Sequence, residues 1–180
     1  MYQVVERKMQ TIGRFDVVLD QIEKDGKQAP YSFVKMHPSV TILPFVGDDQ
    51  ILVLKEYRHA IGKWMYEFPS GMIEESESIE EAAVRELKEE TGYEARKVVF
   101  LGKTYPSFGS TTEEVYCFAI QCGARQDTEK DLLEAISMQL VSEKELEQWM
   151  QDGTFQHGAG QVAWLQYQLL KKNQKNHPLL

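Results

Sequence analysis

The sequence reads as an α/β protein of the α+β kind. A mixed β-sheet is sandwiched between α-helices, and an N-terminal antiparallel β-sheet subdomain precedes it. Three observations predict this. Strand-like and helix-like segments mix without strict alternation, which favours one mixed sheet covered on both sides. The first 45 or so residues are strand-rich. Two later segments open on a serine followed three residues on by a glutamate, the pattern of a capped helix.

Taken in order, "RFDVVLDQIE" is a strand, "KDGK" a turn and "YSFVKM" a second strand. "SVTILPFV" and "QILVLKEY" flank the turn signal "GDDQ" and predict a hairpin. "KWMYEFPSG" is a short strand ending on a proline and a glycine. The first helix runs from the Ser78 and Glu81 capping box to Gly92, a usual helix terminator. Strands "KVVFLGKTY" and "EEVYCFAIQ" follow, joined by the polar loop "PSFGSTTE". The acidic loop "ARQDTEKDLLE" leads into the strand "AISMQLV". Ser142 and Glu145 cap a second helix that ends near Gly153, and "GQVAWLQYQLLKK" forms a third, with Val162, Leu165 and Leu169 on one side. The expected organisation is residues 1–45 as the strand-rich region, 46–173 as the main domain and 174–180 as a frayed tail.

The bulk properties exclude several classes of function. The chain has 180 residues, 42% of them hydrophobic and 27% charged, the profile of a soluble globular protein. No transmembrane run is present, and the opening "MYQVVERKMQ" is too charged for a signal peptide. A formal charge of -8 argues against a broad nucleic-acid-binding surface. Cys117 and Cys122 are the only cysteines, so the expectation is reduced core thiols in a cytoplasmic protein, with neither a disulfide framework nor a zinc site.

The first helix carries the chemistry. Ile79, Ala82, Ala83 and Leu87 recur at helical spacing and mark its buried face. At about 100° per residue, Glu86 and Glu90 fall on that face, whereas Glu80, Glu81 and Lys88 point away. Two carboxylates one turn apart repel, and burial disfavours their charge. A hard divalent cation resolves both problems, because oxygen ligands suit Mg2+ or Mn2+. Glu89, at the edge of the face, could reach a second ion.

From Gly71 the chain reads "GMIEESESIEEAAVRELKEETGY". This resembles the Nudix box, Gly-x5-Glu-x7-Arg-Glu-aliphatic-x-Glu-Glu-x-Gly-aliphatic. Gly71, Glu77, Arg85, Glu86, Leu87, Glu89, Glu90 and Gly92 all match, and Tyr93 departs by being aromatic. The resemblance implies the Nudix fold and a hydrolase that cleaves a diphosphate linked to another moiety. It implies Glu86, Glu89 and Glu90 as metal ligands, completed by the carbonyl of Ser70. Arg85 would orient the glutamates, Gly71 would permit a sharp turn, and Glu77 would brace the loop after it. Metal-bound water would attack one phosphorus, assisted by a general base outside the helix.

The approach "EYRHAIGKWMYEFPSGMIEE" and the later "WMQDG" resemble ADP-ribose pyrophosphatases and related nucleoside diphosphate sugar hydrolases. That likeness implies a small-molecule nucleotide-sugar substrate, a general base in the loop "DTEKDLLE", and a homodimer. Glu134 is the first choice for the base, with Glu129 and Asp131 behind it. Arg58 is either a phosphate contact or an ion-pair partner of Glu56 or Glu67, and Glu67 joins it as a substrate-binding candidate. Glu113 is either an acid near the metals or a strand-edge carboxylate. ADP-ribose-cleaving members usually carry Ser-Pro-Gly where this chain has Ser107-Phe108-Gly109, which leaves room for another sugar such as GDP-mannose. Phe108 is then a stacking platform or a lid tip. Tyr31, Phe33 or Phe15 would stack on the base if they do not simply fill the core.

Overall fold

A strand reveals itself in sequence when one of its faces is buried and the other is wet, and not every strand here meets that condition. The computed structural model describes residues 1–126 and 137–173. In order, the elements are β1 Gln3–Ile12, β2 Phe15–Lys24, β3 Lys27–Lys35, β4 Ser39–Val46, β5 Gln50–Arg58, β6 Lys63–Glu67 and β7 Ser70–Met72. They continue with α1 Ile79–Thr91, β8 Tyr93–Thr104, β9 Val115–Arg125, β10 Ser137–Ser142, α2 Glu143–Gln151 and α3 Gly158–Asn173. The chain forms two compact units, and residue 45 lies inside β4 rather than between them.

The first unit comprises Met1–Pro38 and Tyr105–Glu114. Its sheet has the order β1-β2-β3 and is antiparallel throughout. Asp25 and Gly26 both have positive φ, 52° and 74°, as a two-residue primed turn requires. Strand β1 stands outside the sequence expectation because all its residues are exposed, so no buried face imposes a period. A guanidinium fork ties it down: Arg7 donates from Nε and Nη2 to the two carboxylate oxygens of Asp20, each at 2.7 Å. This fork also holds the Asp20 carboxyl below its usual range. The 105–114 loop is laced to β3. Val34 N–H donates to the Ser110 carbonyl at 2.9 Å, Thr112 N–H to the Val34 carbonyl at 3.0 Å, and the Tyr31 hydroxyl to the Gly109 carbonyl at 2.9 Å.

The second unit comprises Ser39–Thr104 and the described residues from Val115 onward. Its sheet follows the order β10-β5-β4-β9-β8, with β6 beside β5 and β7 beside β4. The β4–β9 pair is parallel and the other pairs are antiparallel, so the sheet is mixed as expected. Alternation along β4 feeds two cores. Val40 and Ile42 pack with Ala82, Ala83 and Leu87 of α1, while Leu43 and Phe45 pack with Leu146 of α2 and with Trp164 and Tyr167 of α3. Helices therefore cover both faces. Among the described residues, no helix is long and apolar enough to cross a membrane.

Two details depart from the sequence expectation. "KWMYEFPSG" is not one strand but two, because the chain leaves β5 after Glu67 and joins β4 at Ser70. Pro69, which has no N–H to donate to a ladder, lies in the gap. On α3, the buried face is Gly160, Ala163, Trp164 and Tyr167, whereas Leu165 and Leu169 are 58% and 51% exposed. The side carrying Val162, Leu165 and Leu169 is the outer one. Gly160 lets the helix approach Phe155, Phe68 and His157 closely.

Gly160 supplies a test of that packing. A Cβ there would stand 2.8 Å from His157 Nδ1 and 2.9 Å from Phe155 Cζ. In an unconstrained helix Gly→Ala stabilises by about 1 kcal/mol, but overpacking costs about 1–3 kcal/mol. Crowding should win here. Gly160→Ala is expected to lower Tm by roughly 2–8 °C in a thermal melt, and a raised Tm would disprove the close fit.

Candidate active site

The acidic helix begins as its sequence dictates. Ser78 Oγ accepts from Glu81 N–H at 3.2 Å, and Glu81 Oε2 accepts from Ser78 N–H at 2.8 Å. Gly92, with φ of 77°, closes the other end by donating to the Lys88 carbonyl at 2.8 Å. Caps at both ends fix the helix in register, and burial of Ala82, Ala83 and Leu87 fixes its rotation. Glu86 and Glu90 are consequently half-buried on the inner side, while Glu80, Glu81, Lys88 and Glu89 are exposed.

Arg85 is the hub of this surface. Its Nε and Nη2 grip the two oxygens of Glu77 at 2.8 and 2.9 Å. Nη1 bridges Glu86 at 2.7 Å and Glu89 at 3.0 Å, and Nη2 also donates to the Met72 carbonyl at 2.9 Å. Glu77 in turn accepts from Glu74 N–H at 3.1 Å, which braces the loop between β7 and α1.

Gly71 has a role that turn propensity does not suggest. A Cβ there would fall on Cδ and Oε1 of Glu86, so only glycine admits the carboxylate where it now sits. Beside it, Ser70 N–H donates to Glu90 Oε2 at 3.1 Å. Ser70 Oγ donates to the Phe68 carbonyl at 2.9 Å and shares a 3.0 Å hydrogen bond with Thr41 Oγ1. Thr41, a lone hydroxyl inside the apolar run "SVTILPFV", was absent from the expected site, and that lone polarity was the signal available.

A second carboxylate group lies on the β5–β6 ribbon. Arg58 forms a fork with Glu67 at 2.9 and 2.7 Å and reaches Glu56 at 3.0 Å. The ion-pair alternative for Arg58 is thus the arrangement present. Burial, together with a hydrogen bond to Glu56, raises the Glu67 carboxyl against the pull of Arg58. Glu90 is pushed up to about 8, first by burial and then by the charge of Glu86, with Glu67 and Glu56 adding to it. Glu86 is raised by burial, although Arg85 opposes this. The cluster is short of positive charge.

Among the described residues, no three His, Cys, Asp or Glu side chains come together in a ready-made metal cage. The donor set nonetheless suits a hard divalent cation. Glu86, Glu89 and Glu90 offer only carboxylate oxygens, and burial with mutual repulsion leaves Glu90 poorly compensated. Phe108 and Glu113 lie on the 105–114 loop of the first unit, Phe108 83% exposed and Glu113 half-buried. Glu129, Asp131 and Glu134, the candidates for the base, lie outside the described residues.

Gly71→Ala is expected to evict the Glu86 carboxylate and break its bond to Arg85 with little loss of stability, because the displaced atoms are the far end of a flexible side chain. Denaturant unfolding and a crystal structure of the variant would check both effects. An unmoved Glu86 would contradict the close approach.

Comparison with known proteins identifies the family. The NUDIX domain matches residues 35–173. The chain is 31% identical over 153 residues to an ADP-ribose pyrophosphatase of Escherichia coli O6:H1, covering 77% of this chain and 73% of that one. It is 33% identical over 104 residues to the ADP-ribose pyrophosphatase of Bacillus subtilis, covering 57% of this chain, and it spans only 56% of that relative's length. The crystal structure of an ADP compounds hydrolase shares the fold at a TM-score of 0.87 with 24% identity, covering 96% of this chain and 95% of the other. With the domain match extending over well more than half of its length, the chain belongs to the NUDIX family.

Proposed function

We propose that the chain hydrolyses the diphosphate of a nucleoside diphosphate sugar with the help of Mg2+ or Mn2+, and that ADP-ribose is its leading substrate. The products would be AMP and ribose 5-phosphate. The observation that carries this reading is the half-buried pair Glu86 and Glu90, set against Gly71 and Ser70 with too little positive charge around it. The E. coli and B. subtilis relatives, both ADP-ribose pyrophosphatases, support the choice of substrate.

In this reading Glu86, Glu89, Glu90 and the Ser70 carbonyl would hold the cation. The cation would supply neutralisation of phosphate charge and a more acidic bound water. Arg85 aims Glu86 and Glu89 by hydrogen bonding to both. Arg58, whose fork is taken by Glu67 and whose Nη1 reaches Glu56, would meet phosphate oxygens only through the N–H groups that these carboxylates leave over. Glu134, or failing it Glu129 or Asp131, takes the proton from the attacking water, and the bond from phosphorus to the bridging oxygen breaks. The reading carries with it a cytoplasmic location and a homodimer, for which light scattering on the purified chain is the test.

A second reading keeps the chemistry and changes the sugar, with GDP-mannose as the example. Phe108 favours it, because ADP-ribose-cleaving relatives are expected to carry proline there.

A panel of ADP-ribose, GDP-mannose, UDP-glucose and NAD, each with Mg2+ and with chelator, separates the two. AMP released fastest from ADP-ribose, and only with metal, is the expected result. Faster cleavage of another nucleotide sugar would transfer the specificity to that substrate, and no turnover of any would defeat both readings. Glu90→Gln is expected to reduce kcat by about 100-fold or more, since supporting partners alone account for about 10–100-fold.

The same variant has a readout in stability. Raised from its ordinary 4.5 to about 8, the Glu90 carboxyl favours the folded state at low pH and loses that contribution as pH climbs from 4.5 through 8. Chelated wild-type protein should therefore weaken over this range, and Glu90→Gln should weaken less. Parallel melting curves for the two would show that Glu90 is not the strained group.

A further inference from the structure

The step between β6 and β7 is where the site is assembled, and its backbone has few partners to choose from. Phe68 and Pro69 alone separate Glu67 from Ser70. In this step the chain leaves the ladder with β5 and joins the ladder with β4. Phe68 is fully buried, so its polar groups need partners other than water. Pro69 has no N–H, and its carbonyl accepts from Ile42 N–H at 2.9 Å. The Phe68 carbonyl accepts from Ser70 Oγ at 2.9 Å. The remaining donor, Phe68 N–H, reaches Nδ1 of His157 at 3.2 Å.

His157, the residue just before α3, is itself held in place. Its ring stands edge-on to Phe155 at 6.2 Å, and Phe155 packs on Phe68 at 4.8 Å. Gly160 backs onto it so closely that even a methyl group would collide with Nδ1. Lost solvation, with the nearby charge of Arg58 second, pulls the imidazole down to about 4. It is uncharged at neutral pH, which leaves one ring nitrogen free to accept.

We propose that His157 is a positioning residue for the hydrolysis. By accepting from Phe68 N–H, it fixes the step that sets Glu67 and Ser70 on neighbouring ladders. Through the Ser70 N–H it thereby fixes the carboxylate of Glu90. His157 acts on the reaction through the backbone, with no contact of its own to the substrate. The inference rests on the reading of the site as a metal-dependent diphosphate hydrolase.

Asn and Leu have the same branched shape, and only Asn offers an acceptor at the distance from Cβ that Nδ1 occupies. His157→Leu is expected to lower kcat by about 10- to 100-fold with little change in KM, to weaken Mn2+ binding, and to speed exchange of the Phe68 amide observed by NMR. His157→Asn should restore most of all three. Should His157→Leu fail to fold, His157→Met, which likewise places no nitrogen or oxygen acceptor there, replaces it in the same comparison. Unchanged kcat and an unchanged Phe68 amide in the acceptor-free variant would overturn the proposal. Equal losses in the Asn and Leu variants, matched by equal falls in Tm, would overturn it as well, because packing alone would explain them. A wild-type chain that cleaves no nucleoside diphosphate sugar would defeat the functional reading, leaving the amide exchange and Mn2+ affinity to decide the role of His157.

Discussion

The constraint on which the rest of the site depends is the repulsion between two carboxylates held on the inner side of one helix. Side chains one turn apart have Cβ atoms about 5–6 Å from each other. At an effective dielectric constant near 20, two such charges repel by about 3 kcal/mol. One hydrogen bond to a charged group returns about 1.5–3 kcal/mol, so the Ser70 N–H on Glu90 roughly offsets the repulsion and leaves the loss of hydration uncompensated. That imbalance is why the Glu90 carboxyl rises to about 8 despite a backbone donor. Arg85 cannot correct it, because its guanidinium is engaged by Glu77, Glu86, Glu89 and the Met72 carbonyl.

The sheet exists in a form that makes this arrangement possible. Its central strand β4 is parallel to β9 on one side and antiparallel to β5 and β7 on the other, so the chain must switch partners near the site. The switch at Phe68–Pro69 puts the Glu56, Arg58 and Glu67 group on one ladder and Ser70 with Gly71 on the other. Proline suits the gap because it lacks the donor that a continuing ladder would need. Gly71 suits the next position because any side chain would fill the space that Glu86 occupies. Packing, backbone hydrogen bonding and the placement of charge are one problem here, solved within a few residues.

Local signals were legible in the sequence and distant ones were not. Capping boxes at Ser78 and Ser142, the Asp25–Gly26 turn and the inward face of Glu86 and Glu90 each depend on neighbours within a turn or two. Strand β1 left no period because neither of its faces is buried. The third helix misled because Leu165 and Leu169 look like core residues, whereas burial went to Gly160, Ala163, Trp164 and Tyr167 on the opposite side. His157 gave no signal at all. Its partner is the amide of Phe68, 89 residues away, and a backbone donor has no side-chain identity to read.

Arg85 shows how a crowded site can still rearrange. Two of its contacts go to Glu77 and one to the Met72 carbonyl, and these anchor the guanidinium without help from the inner carboxylates. Its bonds to Glu86 and Glu89 come from a single nitrogen, Nη1. If a cation draws Glu86 or Glu89 toward itself, Arg85 gives up only that nitrogen's partners and keeps its place. The braced loop therefore separates two tasks that a single ion pair could not: holding the helix against β7 and, in the proposed reading, letting the glutamates exchange a guanidinium for a metal ion.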